Sequence, residues 1–165
     1  MKRFLKVLVL LCFAGSIFSC KKESTTFSYA WILNNSTVNV KLIPVKNSQL
    51  NAVESIIIRN NDSIKIITND FAGKGKLKNP GFQNEVLLTA DALLVIFNNT
   101  DSVIHYRDTS SPNMFPNINS VYQTNERGFM NIANWKWSYK DVSKHKLENY
   151  YKFIFTEEDY NFARQ

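Results

Sequence analysis

His105 and His145 are the two imidazoles of the chain, and they are the natural place to look for acid–base or metal chemistry. A nucleophilic hydrolase would set one of them beside an activated serine and a carboxylate. His105 follows Val103 and Ile104 in an apolar strand pattern, His145 stands in the basic run Lys144-His145-Lys146, and neither is accompanied by a Gly-x-Ser-x-Gly turn. As metal ligands the pair still lacks two donors, so no metal site is indicated. Glu157, Glu158 and Asp159 are adjacent, whereas glycoside hydrolysis needs two carboxyl groups facing each other across a cleft. The start of a helix accounts for them more simply. Gly73-Lys74-Gly75 lacks the helix start and the Lys-Ser/Thr of a phosphate loop, and the segment from Phe71 to Phe82 reads as a solvated loop. The sequence therefore points to a protein that is not an enzyme and needs no cofactor. An enzyme with a non-standard site would have to depend on His105.

Binding chemistry is better represented. If Trp135-Lys136-Trp137-Ser138-Tyr139 is extended, Trp135, Trp137 and Tyr139 share one face and the polar residues take the other. Such a row either fills a core or presents an aromatic surface to a glycan or a peptide.

The elements that would position these residues are strands. Leu93-Leu-Val-Ile-Phe-Asn-Asn-Thr-Asp-Ser-Val-Ile-His-Tyr106 is an apolar run, an Asn-Asn turn and a second apolar run, the pattern of a β-hairpin. The same phrase occurs at Ile56 to Ile67 and, more loosely, at Ala30 to Val40. Asparagine replaces glycine as the turn residue because it tolerates a left-handed backbone best among the others. Phe27, Tyr29, Trp31 and Leu33 fall on one face of a first strand, and Pro44 ends the next strand or marks it as an edge. Leu93 to Phe97, apolar on both faces, should lie centrally in its sheet. Asn84 to Asp91 suggests a helical turn, Thr109 to Glu126 an irregular excursion, and Leu147 to Thr156 a last strand. Thr156 then caps a short helix from Glu157 to Ala163. The fold expected is mainly β, an antiparallel β-sandwich of immunoglobulin- or transthyretin-like outline with a short C-terminal helix; a closed barrel is the alternative.

The formal charge of +6 overstates the basic character of the folded part, because Lys2, Arg3 and Lys6 stand in an N-terminal segment with no acidic residue, and its removal leaves +3. The remaining cations are scattered among Asp and Glu, which excludes nucleic acid as a partner. Val7 to Gly15 is an apolar run too short to span a bilayer. It leads into Ser16-Ile-Phe-Ser-Cys20, which resembles a bacterial lipobox, with Phe18 bulkier than usual. That resemblance implies a signal peptide at 1–19, acylation of Cys20, a polar tether at 20–26 and a single domain at 27–165. Three acyl chains would hold the protein in the membrane, since each buried methylene contributes about 0.8 kcal/mol. With Cys12 removed and Cys20 acylated, no thiol is left for a disulfide or a redox centre.

The tether is similar to that of Bacteroidetes lipoproteins, in which a lysine followed by acids directs export to the cell surface; here Ser24 replaces the second acid after Lys22-Glu23. The domain also resembles the small lipoproteins of that group through Asp62-Ser-Ile-Lys-Ile-Ile67, Leu94-Val-Ile-Phe-Asn98, Val103-Ile-His-Tyr106 and Phe155-Thr-Glu-Glu-Asp-Tyr160. The resemblance implies a lipid-anchored protein of the cell envelope, at the outer membrane, with a glycan or an envelope protein as partner. It carries no activity. Asp62-Ser63-Ile64 and Asp101-Ser102-Val103 are similar to the O-glycosylation pattern of such envelope proteins, which makes Ser63 and Ser102 candidate acceptors at equivalent hairpin corners. Asp-Ser also suits a turn on its own account.

Overall fold

A computed structural model describes residues 23–81, 89–108 and 114–165 of the chain. They form a β-sandwich of two sheets with one short helix at the C-terminus. The strands are β1 (Ser24–Asn34), β2 (Val40–Lys46), β3 (Gln49–Leu50), β4 (Ile56–Ile58), β5 (Ser63–Gly73), β6 (Ala92–Phe97), β7 (Asp101–Tyr106), β8 (Asn119–Tyr122), β9 (Lys136–Ser143) and β10 (Lys146–Phe155), followed by α1 (Glu157–Ala163). One sheet runs β5-β1-β10-β9, and the other runs β3-β2-β6-β7-β8 with β4 beside β2. Most neighbours are antiparallel, but β1 runs parallel to β10 and β7 parallel to β8.

The three Asn-Asn phrases do not build the same thing. Of the three, only the one at 93–106 forms a hairpin, β6 with β7, with Phe97 opposite Asp101. Its Asn98 and Asn99 both take positive φ (50° and 63°), the condition for a turn that matches strand twist, and the Thr100 N–H closes it onto the Phe97 carbonyl. The phrases at 30–40 and 56–67 instead join strands of different sheets. At the second of these only Asn61 has positive φ, and at the first no residue does. The buried Asn34 fastens the two corners together. Its Nδ2 donates to the carbonyls of Val38, Ile58 and Arg59, and its Oδ1 accepts from the N–H and Oγ of Ser36.

Between the sheets lies one core. Ala30, Ile32, Tyr151, Phe153 and Phe155 come from one side, and Leu42, Leu93, Val95 and Phe97 from the other. Phe129 packs against Phe153 at 4.8 Å and Trp135 at 5.1 Å between ring centres. Such pairs contribute about 0.5–1.5 kcal/mol beyond their burial. β6 is central, as its two apolar faces required. Its second face, with Leu94, joins Ile43, Val45, Ile104 and Tyr106 beneath Met114, Phe115 and Ile118. The stretch read as an irregular excursion thus covers a second core and also contains β8.

Several expectations are corrected. Pro44 neither ends β2 nor marks an edge: the strand runs on to Lys46, and its flanking partner splits into β4 and β3 where the proline lies. That break accommodates a residue that has no N–H to give. β1 starts at Ser24, inside the segment read as tether. Of the helical turn expected at 84–91, residues 84–88 lie outside the described residues, and 89–91 are not helical.

The face of β1 that enters the core is the small and polar one. Ser24, Thr26, Ser28, Ala30, Ile32 and Asn34 are buried, while Phe27, Tyr29, Trp31 and Leu33 lie half-buried on the outer face. The cause lies far along the chain. Residues 74–81 cross the inner side of this sheet as a strap, so the loop read as solvated is hydrogen-bonded to the strands. The Leu77 N–H donates to Thr26 Oγ1, Asn149 Nδ2 donates to the Leu77 carbonyl, and the Gly81 N–H donates to Tyr151 Oη. Only small side chains on β1 leave space for that strap.

Candidate functional site

β9 is an edge strand whose eight residues are all exposed, and among the described residues it pairs only with β10. The aromatic row expected here divides. Trp135 precedes β9 after a turn of 3-10 helix at Ile132–Asn134, is buried, and donates its Nε1–H to the Phe129 carbonyl at 3.0 Å. Its backbone is already extended (φ −85°, ψ 127°), but it stands deeper on the same inner side, against Phe129 and Phe153, so it belongs to the core and takes no part in an exposed face. Trp137 and Tyr139 are in the strand, 38% and 44% exposed. Their registers opposite Tyr151 and Asn149 put them on the inner side of the sheet, at its open rim.

This pair is held in place. The rings stack at 5.5 Å between centres with planes 25° apart. Trp137 Nε1–H donates to Asn149 Oδ1, which also receives the Asn79 N–H from the strap. Lys78 places its ammonium 4.3 Å from the centre of the Tyr139 ring and donates to its hydroxyl, which raises the lysine pKa; Lys76 pairs with Asp141. Rings that stack along a strand hide the faces between them. That stacking, with Lys78 over Tyr139, leaves less open ring face than the broad flat platform a sugar chain requires.

The residues considered for catalysis have structural work. His105 is buried in β7; its Nδ1 accepts the Phe129 N–H at 3.2 Å, and Phe129 and Phe155 pack edge-on against it. Burial lowers its pKa to about 3, so the ring is neutral at ordinary pH. The three acids of α1 are each engaged. Glu157 accepts from the Thr37 N–H and hydroxyl, clasping the first corner. Asp159 accepts from the Thr156 N–H and hydroxyl and binds Arg127, which Glu158 also holds at 2.9 Å. Beside this cluster an open cleft of about 740 Å³ is lined by Asn35, Asn125, Arg127, Lys136 and Lys152 among others. Sequence reading missed it, because its walls come from segments far apart in the chain. Among the described residues no group of three or more His, Cys, Asp or Glu is placed to hold a metal.

Ser63 and Ser102 do not occupy equivalent corners. Ser63 is exposed where β5 leaves the second inter-sheet corner, its N–H bonded to Asp62 Oδ1 at 2.7 Å. Ser102 is half-buried within β7 opposite Ile96. Cys20 and the segment 1–19 lie outside the described residues. No family model, no curated protein and no solved structure matches this chain.

Proposed function

We propose that this protein is a lipid-anchored module of the bacterial cell envelope that binds without catalysing, and that its ligand is an extended polypeptide segment laid along β9. The observation that carries the reading is the exposed edge of β9 with Trp137 and Tyr139 fixed beside it. A strand added to such an edge gains main-chain hydrogen bonds, and the aromatic pair supplies anchors for its side chains. Lys136 and Lys140 favour an acidic partner strand and discourage pairing with a second copy of β9, because like charges facing each other across strands repel. The anchor rests on the lipobox-like Ile17-Phe18-Ser19-Cys20.

Trp137→Ala tests the binding site. The change should abolish capture of acidic extended peptides from an envelope-derived peptide library while moving the thermal midpoint by only a few degrees. A midpoint that collapses assigns Trp137 to the core and sinks the reading. Protease shaving of intact cells, beside a Cys20→Ala control, tests the location. The wild-type chain should fractionate with membranes and the control should not.

A further inference from the structure

The outer face of the β5-β1-β10-β9 sheet is aromatic and cationic, and no described element covers it. Phe27 stacks on Tyr29 at 6.3 Å and Tyr29 on Tyr150 at 5.5 Å between ring centres. Lys65 lies over Tyr29 and Trp31, and Lys146 over Phe27. Strand register puts five lysines on this face (65, 136, 140, 146 and 152) against two carboxylates, Asp70 and Glu148. Glu148 is held ionised by the Tyr150 hydroxyl and Lys146, so the excess is positive. This face belongs to β1, and only three residues separate Ser24 from Cys20, a link of four chain steps. Even fully extended, that link reaches only ~14 Å.

We infer that this face lies on the bilayer to which the chain is anchored, with Phe27, Tyr29, Trp31 and Tyr150 at headgroup level and Lys65 and Lys146 against anionic phospholipid. The inference rests on acylation of Cys20. Tryptophan and tyrosine have an apolar body and a polar tip, which suits the boundary between acyl chains and water. Lysines bury their stems on apolar surface and keep the ammonium at the phosphates, where an anionic leaflet attracts them. The short link keeps the face near the membrane, so the weak attraction of each side chain acts at high local concentration. Docked this way, the sheet keeps its β9 edge, with Trp137 and Tyr139 on the inner side, open to partners.

The test uses the full lipidated chain reconstituted in vesicles of phosphatidylethanolamine and phosphatidylglycerol, some carrying bromine on the acyl chains. Bromine dims only tryptophans near the bilayer, and the chain has three, Trp31, Trp135 and Trp137. The wild-type emission should dim, Trp31→Phe should lose most of the dimming, and Trp137→Phe should keep it. Lys65→Glu combined with Lys146→Glu should reduce it at least twofold. Dimming that survives Trp31→Phe, or that vanishes with Trp137→Phe, overturns the orientation. Emission from Trp31 that responds to soluble anionic glycan but not to brominated vesicles overturns the lipid assignment. Flotation reads the anchor separately. A wild-type chain that fails to float with vesicles removes the acylation reading and this one with it, whereas a chain that floats with Trp31 undimmed overturns docking alone.

Discussion

Asn34 is buried at the seam of the two inter-sheet corners, with its carboxamide engaged at both ends. Removing the amide takes a donor from the carbonyls of Ile58 and Arg59, while Val38 keeps Ser36 Oγ, and a buried group left unsatisfied costs about 1–3 kcal/mol. Asn34→Ala should therefore lower the unfolding free energy obtained from urea titration by about that amount. Asn34→Asp should cost more, because its carboxylate oxygen would face those carbonyls; an aspartate variant no worse than alanine would remove this account of the seam. His105 makes a different prediction, about pH. Folding keeps its ring neutral down to about pH 3, while the unfolded chain takes up a proton near the ordinary value of 6.5. The stability linked to this residue is complete above 6.5 and drains as pH falls toward 3, at up to about 1.4 kcal/mol per pH unit. His105→Asn can still accept the Phe129 N–H but does not titrate. Urea midpoints measured across that window should fall less steeply for the variant than for the wild type, and parallel slopes would show that the imidazole is not the group responsible.

Among elements, the same two-asparagine word gave one hairpin and two corners, and the difference lies in the backbone. Asn98 sits in the left-handed region, whereas Asn60, the first asparagine of the other phrase, does not. A β-branched residue loses about 1–2 kcal/mol in that region, so Asn98→Val should destabilise by that much and Asn60→Val by little. Equal urea midpoints for the two would contradict the turn assignment. The contrast also marks what the sequence could reveal. β6 with its two apolar faces, the β6–β7 hairpin, β10 and α1 were legible because their signals are local: alternation, continuous apolar runs, and Thr156 followed by acids. The corners were not, since whether a chain turns back in its own sheet or crosses to the other depends on where its next strand finds a partner. The inward face of β1 was hidden for a related reason. Alternation reports that two faces differ, but the strap at 74–81 and the strands it crosses decide which of them is covered. For the candidate site, alternation put Trp135, Trp137 and Tyr139 in one row, but it could not tell that the row runs from the core at Trp135 to the open rim at Trp137 and Tyr139.

At the scale of the whole molecule, the first and last strands are neighbours. Thr25 pairs with Lys146 and Asn34 with Phe155, so β1 and β10 come together in parallel only after nearly all the chain has been made. β10 also supplies Tyr151, Phe153 and Phe155 to the shared core, where Phe97 meets Phe155 at 6.0 Å. Without β10, β9 has no partner among the described residues, β1 keeps only β5, and the inner face of the second sheet loses its cover. A fold that depends on pairing its two ends has long loops to close before its contacts reward it, which slows folding and makes it all-or-none. A chain ended after His145 should therefore show no cooperative thermal transition, and its amides at Val95 and Ile104 should exchange at rates near those of an unfolded chain. The second sheet does have a core of its own, beneath Met114 and Phe115. If Val95 and Ile104 kept wild-type protection in the shortened chain, that smaller core would be sufficient, and the sandwich would be two units docked together. The burial of Leu93, Val95 and Phe97 against β10 argues the other way: sheet order and core composition make β10 the element that completes both layers at once.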